Sequence, residues 1–155
     1  MIDSPRIVET PARQTAIIHF TIPKADIQKV MGPGIREVME AVTTQRVGPT
    51  GPWFSYHLRI APDVWDFEVG VPVSTPVTAV GRVRQGSLPA ATVARANYRG
   101  KYENLGAAWA ELDAWIKDNG HTGRPDLWES YVAGPESSVD PADWVTELNR
   151  PLAER

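Results

Sequence analysis

The sequence contains no cysteine among its 155 residues. This excludes a disulfide framework, a thiolate nucleophile and a cysteine-ligated zinc site. The three histidines, His19, His57 and His121, lie far apart along the chain and lack the spacing of metal ligands. We therefore expect no metal ion and no cofactor.

Long apolar runs and runs of basic residues are also missing. An apolar segment such as residues 15–20 is too short to span a bilayer, and the first ten residues carry charges where a signal peptide needs an apolar stretch. The net charge is −3, from 16 Lys and Arg against 19 Asp and Glu, whereas nucleic-acid binding requires a basic face. We expect a cytoplasmic protein with no membrane partner and no direct nucleic-acid partner.

Familiar catalytic motifs are absent as well. The sequence has no Gly-x-Ser-x-Gly nucleophile elbow, and Gly32-Pro33-Gly34 lacks the Lys and Ser/Thr of a phosphate-binding loop. What the chain does have is six tryptophans. Large aromatic side chains are costly to expose, so many of them must line a core or a cavity.

The first part of the chain predicts a strand, a helix and two more strands. Residues 13–21 are rich in β-branched side chains, and Ile27, Met31, Ile35, Val38 and Val42 recur at helical spacing. Pro33 interrupts that helical pattern, so we expect a kink or a fresh helix start there. Two strands at 53–60 and 66–73 follow, joined by a turn at Ala61-Pro62-Asp63.

The second part predicts the same order of elements. Strands are expected at 77–84 and 91–98 around a turn at 85–89, then a helix over 102–119 and strands at 127–133 and 144–148. Gly120 ends the helix, whose apolar stripe includes Trp109 and Trp115. We interpret both tryptophans as core residues.

Short matches relate the two parts. Pro11-Ala12 recurs as Pro89-Ala90, and Trp53-Phe54-Ser55-Tyr56 recurs as Trp128-Glu129-Ser130-Tyr131. We therefore predict a single α+β domain, 1–155, made of two pseudo-symmetric β-α-β-β halves, about 1–75 and 76–155. Each half packs a helix on an antiparallel sheet, and a ligand cleft is expected between the halves, since such junctions commonly hold small molecules.

Strand alternation selects the candidate site. Glu129 and Tyr131 share one face of their strand, and the repeat assigns Phe54 and Tyr56 to the same face of the other half, with His57 on the opposite side. One interpretation makes Glu129 a solvated surface charge. The other makes it a carboxylate in an aromatic pocket, with a raised pKa suited to a cation or to acid–base chemistry.

The pocket is predicted to be lined by aromatic side chains. The hydroxyl of Tyr102, at the start of the second helix, either points into the cleft or packs on the sheet, and both alternatives stay open. The predicted lining is Phe54, Tyr56, Trp65, Phe67, Tyr102 and Tyr131, around Glu129.

From Pro89 onward the chain resembles the GyrI-like, or bacterial transcription-activator effector-binding, family. The resemblance is carried by 98–102 (YRGKY), Glu129-Ser130-Tyr131, Thr146-Glu147-Leu148 and Pro151-Leu152, and more loosely by 67–73 in the first half. It implies a hydrophobic, aromatic-rich cavity between two halves. It also implies that the glutamate of the Glu-x-Tyr motif, here Glu129, meets cationic lipophilic drugs.

The resemblance leaves several functions open. Some relatives sense effectors for a fused DNA-binding domain, but too few residues precede Pro11 for a helix-turn-helix, so we expect a stand-alone member. Others are similar to gyrase inhibitors, or to detoxifying hydrolases that open strained cyclopropane rings. In the hydrolase interpretation Glu129 activates water while Tyr102 or Tyr131 polarises the electrophile. In the alternative, the chain only captures or senses a lipophilic small molecule. A homodimer and an unknown protein partner both stay open.

Overall fold

The computed structural model describes residues 2–60 and 63–154 and divides the chain into two compact units. The first unit is Pro11–Ala90, and the second unit combines Met1–Thr10 with Ala91–Arg155. The strands are β1 (Ile2–Thr10), β2 (Arg13–Pro23), β3 (Phe54–Ile60), β4 (Val64–Pro72), β5 (Arg84–Leu88), β6 (Ala91–Arg99), β7 (Leu127–Ala133) and β8 (Val145–Pro151). The α-helices are α1 (Ile27–Gln45) and α2 (Leu105–Asp118), and short 3-10 helices span Lys24–Asp26, Tyr102–Asn104 and Pro141–Asp143.

Each unit is an antiparallel sheet with one helix packed on it. The strand order is β3-β4-β2-β5 in the first unit and β1-β6-β8-β7 in the second. Val38 and Val42 of α1 pack into the core of the first unit, and Leu112 and Ile116 of α2 pack into that of the second. The predicted α+β class, with a helix on an antiparallel sheet in each β-α-β-β half, is confirmed. No helix in the described ranges is long and apolar enough to cross a membrane.

Two edge strands depart from the sequence prediction. β1 was not predicted, and it pairs with β6. The strand predicted at 77–84 and the turn predicted at 85–89 are wrong, because 80–83 is a turn, with Gly81 at φ 56°, and β5 begins at Arg84. Gly86 is typical of a turn, but it lies within β5. A Cβ at this position would come within 2.8 Å of Ile17 in β2, so the absence of a side chain permits the close approach of the two strands.

Helix α1 continues through Pro33 as one element, so the predicted fresh start is wrong. Gly34, the next residue, is buried against the ring of Phe20, and Val38 and Val42 are fully buried further along. Val30 and Met31, before the proline, also pack against this core, and packing on both sides of Pro33 offsets the roughly 3 kcal/mol that an interior proline costs. The predicted turn at 61–63 lies largely outside the described residues.

The repeat is out of register by one residue from the sequence prediction. In β3 Ser55 pairs with Val69, and in β7 Glu129 pairs with Leu148; both partners lie on the helix side of their sheets. Glu129 therefore corresponds to Ser55 and not to Phe54. Because a shift of one residue exchanges the faces of a strand, Phe54 and Tyr56 lie on the face away from α1, and their predicted equivalence to Glu129 and Tyr131 is wrong.

His57 corresponds to Tyr131 in this register. It was predicted to face away from the pocket side, but it lies on the helix side, stacked on Phe67 at 5.2 Å with its Nε2 3.1 Å from the Ser55 hydroxyl oxygen. Burial lowers the pKa of His57 to about 4. The imidazole is therefore neutral at pH 7.

The buried His57 should make the fold sensitive to acid. Since the unfolded imidazole titrates near pH 6.5 and the folded one near 4, the unfolded state binds more protons in between, and stability falls as pH drops through this window. We expect His57 to account for a loss of about 2–3 kcal/mol of unfolding free energy between pH 7 and pH 4. Chemical denaturation of His57→Phe across this range should show a shallower loss than wild type. Partly exposed His121→Gln is the control, and an unchanged slope in His57→Phe would contradict the assignment.

Candidate functional site

Glu129 lies on the helix side of β7 and is held by two hydrogen bonds. Trp109 Nε1 of α2 donates to Glu129 Oε2 at 2.6 Å. The Tyr131 hydroxyl, two residues along the same strand face, donates to Glu129 Oε1 at 2.8 Å. Each carboxylate oxygen thus has one fixed donor and retains accepting capacity for one more partner.

Among the residues that the structure describes, Glu129 forms no ion pair, so no cationic side chain there neutralises its carboxylate. Burial raises its pKa, and the hydrogen bonds from Trp109 and Tyr131 oppose that rise without cancelling it. The ionised form of Glu129 is therefore a desolvated negative charge whose energetic cost is only partly offset.

A stack of aromatic rings continues from Tyr131. The ring of Tyr102 lies edge-on to Tyr131, with 5.9 Å between centroids, and is stacked on Trp144 at 5.2 Å. Trp144 Nε1 donates to the backbone oxygen of Ser138 at 2.9 Å, which ties the stack to the loop after β7. The edge-on and stacked geometries are those that aromatic pairs favour.

The Tyr102 hydroxyl ends beside two carboxylates. A Cβ on buried Gly134 would lie 2.7 Å from this hydroxyl and 2.9 Å from Glu136 Oε2. Burial raises the pKa of Tyr102, and the negative charges of Glu136 and Glu129 raise it further. The hydroxyl is therefore kept as a proton donor.

Three of the predicted site residues lie in the second unit, where the structure brings them together, and the other four belong to the first unit. Tyr102, Glu129 and Tyr131 meet in the second unit. In the first unit Trp65 and Phe67 lie with His57 on the helix side, whereas the face away from α1 holds Phe54 and Tyr56. Phe54 and Phe67 are 1% and 0% exposed, so neither presents surface to a ligand in this conformation.

Sequence reasoning missed Trp109 as a site residue. Its position on the apolar stripe of α2 indicated a core residue, and it does pack against the core of the second unit. Its indole N–H nevertheless donates a hydrogen bond to Glu129. This hydrogen bond could have been predicted, because a buried indole N–H needs an acceptor and the helix packs over the strand that carries the carboxylate.

An open groove lies beside a 3-10 helix in each unit, and Glu129 lines neither groove. One of about 760 Å³ in the first unit is lined by Trp65 together with Lys24, Ile27 and Asp63, among others. Another of about 700 Å³ in the second unit borders Tyr98 and the segment 99–101. Within the described residues no three His, Asp or Glu side chains gather in an arrangement that could hold a metal ion.

The uncompensated charge of Glu129 should be visible in stability measurements. Because the raised pKa means that the folded state holds this proton more tightly than the unfolded state, unfolding free energy falls as pH rises from the ordinary carboxylate range through the raised pKa. Glu129→Gln should remove this fall and be at least as stable as wild type at pH 7. Denaturation between pH 4 and pH 8 tests this, with Glu40→Gln on the exposed face of α1 as control. A large loss of stability at pH 7 would contradict it.

Solved structures of other proteins share this fold. The C-terminal domain of EcmrR matches with a TM-score of 0.80 and 22% identity over 98% of both chains, and the chain spans 58% of the EcmrR chain in an EcmrR–DNA complex. A hydrolase from Listeria innocua matches with a TM-score of 0.65 and 13% identity, over 96% of this chain and 91% of that one. SAV2435 bound to tetraphenylphosphonium matches with a TM-score of 0.63 and 10% identity, over 97% and 94%.

At these identities the structures establish the fold alone. No protein of curated function matches the sequence. The family model of the GyrI-like small molecule binding domain matches residues 3–153. Nearly the whole chain is covered, and it therefore belongs to the GyrI-like small-molecule binding domain family.

Proposed function

We propose that the chain binds lipophilic cations, with Glu129 as the counter-charge. The observation that carries the proposal is the desolvated carboxylate fixed by Trp109 and Tyr131, with no cationic partner among the described residues. A bound cation would supply the missing charge and offset the desolvation cost. The two hydrogen bonds already hold the carboxylate of Glu129 in place, so this group need not be ordered when a cation binds.

The surrounding rings favour an apolar cation over a hydrated one. The stacked rings of Tyr102 and Trp144 are partly exposed, and Tyr102 adjoins the buried ring of Tyr131, whose hydroxyl donates to the carboxylate. Aromatic faces attract organic cations by about 0.5–2 kcal/mol each. The structure of SAV2435 with tetraphenylphosphonium supports this ligand class by analogy of fold. Binding of this kind would serve capture of a toxic compound or sensing of an effector.

Binding of tetraphenylphosphonium should depend on the charge of Glu129. Glu129→Gln should weaken it by about 3 kcal/mol, the Coulomb energy of charges ~5 Å apart at an effective dielectric constant of ~20. Neutral triphenylphosphine oxide should bind both proteins alike. Wild-type affinity for the cation should also fall as pH drops through the raised pKa of Glu129, because the protonated carboxyl carries no charge. Titration of tryptophan fluorescence measures both effects, with Glu40→Gln as control, and equal cation affinity in Glu129→Gln would refute the proposal.

A second candidate function is hydrolysis of a strained, cyclopropane-bearing electrophile. It is favoured by the raised pKa of Glu129, which suits a general base. Glu129 would take a proton from water while the water oxygen bonds to a ring carbon. The electrons of the broken carbon–carbon bond would pass to a conjugated carbonyl oxygen, which then gains the proton, so that one water is added overall. Because the Tyr131 hydroxyl already donates to Glu129, Tyr102 would polarise that oxygen and Tyr131 would position the base.

Turnover and capture are separable by mass spectrometry. Incubation with a cyclopropane-bearing alkylating agent should yield a product heavier by one water if the chain is a hydrolase, and Glu129→Gln should slow its formation by roughly two to four orders of magnitude. Tyr102→Phe should slow it less. Saturable binding with unchanged ligand in wild type would decide for capture. Product formed equally fast by Glu129→Gln would remove Glu129 from the mechanism.

A further inference from the structure

The groove of about 700 Å³ in the second unit is bordered by a basic loop that the proposed function does not use. Three segments line this basic groove: residues 98–101 at the end of β6, Asn104 and Ala107 at the start of α2, and residues 140–142. Its volume lies within the range of small-molecule sites. The basic groove is therefore large enough for a small organic ligand.

Hydrogen bonds fix the loop that forms one wall of the basic groove. The Tyr98 hydroxyl donates to the Lys101 carbonyl at 2.8 Å, and the Asn104 N–H donates to the same oxygen at 3.2 Å. The Gly100 N–H donates to the Trp144 carbonyl at 3.1 Å. Gly100 has φ 133°, and a Cβ there would lie 2.9 Å from the Tyr98 hydroxyl, so the loop conformation requires glycine. The backbone on which the basic side chains stand is thus already ordered.

The segment 140–142 is fixed by its own 3-10 helix. Asp140 Oδ1 accepts from the Ala142 N–H at 3.0 Å, and the Asp143 N–H donates to the Asp140 carbonyl at 3.0 Å. Asp140 is the one acidic residue among the described residues that line the basic groove. One oxygen of its carboxylate is therefore already engaged in capping this helix.

Two cationic side chains, Arg99 and Lys101, line the basic groove against this single carboxylate. Arg99 Nε lies 3.8 Å from Asp3 Oδ2, but both side chains are 61% exposed, and such a pair contributes at most about 1 kcal/mol. Lys101 forms no ion pair with any residue that the structure describes. The basic groove therefore has a local excess of positive charge in a chain whose net charge is −3, and it should attract an anion.

We propose that the basic groove binds a small organic phosphate monoester, with Arg99 and Lys101 neutralising the phosphate dianion. A guanidinium can pair with two phosphate oxygens at once, and an ammonium adds a second point charge. Ala107, Pro141 and Ala142 offer apolar surface to the organic part of the ligand. This site is separate from the cation site at Glu129 and does not depend on it.

The test compares phenyl phosphate with phenyl sulfate, which has the same shape but one negative charge fewer at pH 8, where a phosphate monoester is a dianion. Titration followed by amide NMR should show saturable shifts centred on Gly100, Lys101 and Ala142, with phenyl phosphate bound about two- to fivefold more tightly. Because Arg99 and Lys101 are exposed, Arg99→Gln and Lys101→Met should fold normally, and each should weaken phenyl phosphate by about two- to fivefold. Asp140→Asn should strengthen it, since asparagine keeps the cap and removes the opposing charge.

Lys117→Met is the matched control, because Lys117 is exposed in the last turn of α2 and does not line the basic groove. It should leave the affinity for phenyl phosphate as in wild type, and so should Glu129→Gln. Equal losses in Lys117→Met and Lys101→Met would mean unspecific attraction to surface charge and would overturn the site. The absence of saturable shifts in wild type, or unchanged affinity in both Arg99→Gln and Lys101→Met, would do the same. Tighter binding of a 5′-phosphorylated DNA oligonucleotide than of phenyl phosphate would contradict a small-molecule ligand.

Discussion

The hydrogen bonds of Trp109 and Tyr131 to Glu129 are the constraint on which the second unit's chemistry depends. Trp109 comes from α2 and Tyr131 from β7, so the packing of helix on sheet also fixes the carboxylate. Neutral donors stabilise a negative charge without cancelling it. The fold therefore carries an uncompensated charge in a desolvated place, at a cost to stability that is commonly seen where a site must be ready for a ligand.

The first unit has a similar pair of contacting side chains, but no carboxylate at the position that corresponds to Glu129. Ser55 and His57 occupy the positions of Glu129 and Tyr131, and they also contact each other, at 3.1 Å. Lys24 is the first residue of the 3-10 helix Lys24–Asp26, as Tyr102 is of Tyr102–Asn104. Lys24 Nζ lies 5.6 Å from the centre of the Trp65 ring, and the ring of Tyr102 is likewise stacked on Trp144. The two units therefore share one arrangement, and the carboxylate at this position occurs in the second unit.

Most of the fold was predictable from sequence because its signals are local. Helical spacing identified α1 and α2, and β-branched or alternating segments identified β2, β3, β4, β6 and β7. β5 was missed because Arg84-Gln85-Gly86-Ser87-Leu88 has the composition of a turn, and only its pairing with β2 makes it a strand. The alternation of side chains along a strand also placed Glu129 and Tyr131 on one face of β7. This prediction is correct, and it could be made from sequence because it depends on one strand alone.

The errors in assigning side chains to the faces of the strands have a different origin. Phe54 and Tyr56 were grouped with Glu129 by a four-residue repeat, and a match that short does not fix register to better than one residue. Backbone pairing does fix it, and the one-residue correction moves both aromatics to the other face. Trp109 was missed for a different reason. Its ring fits the apolar pattern of a core residue, and its hydrogen bond to Glu129 becomes evident only once the position of Glu129 is known. The elements that pack the core therefore also hold the carboxylate of Glu129 in place, so substitutions there should change stability together with any property that depends on this carboxylate.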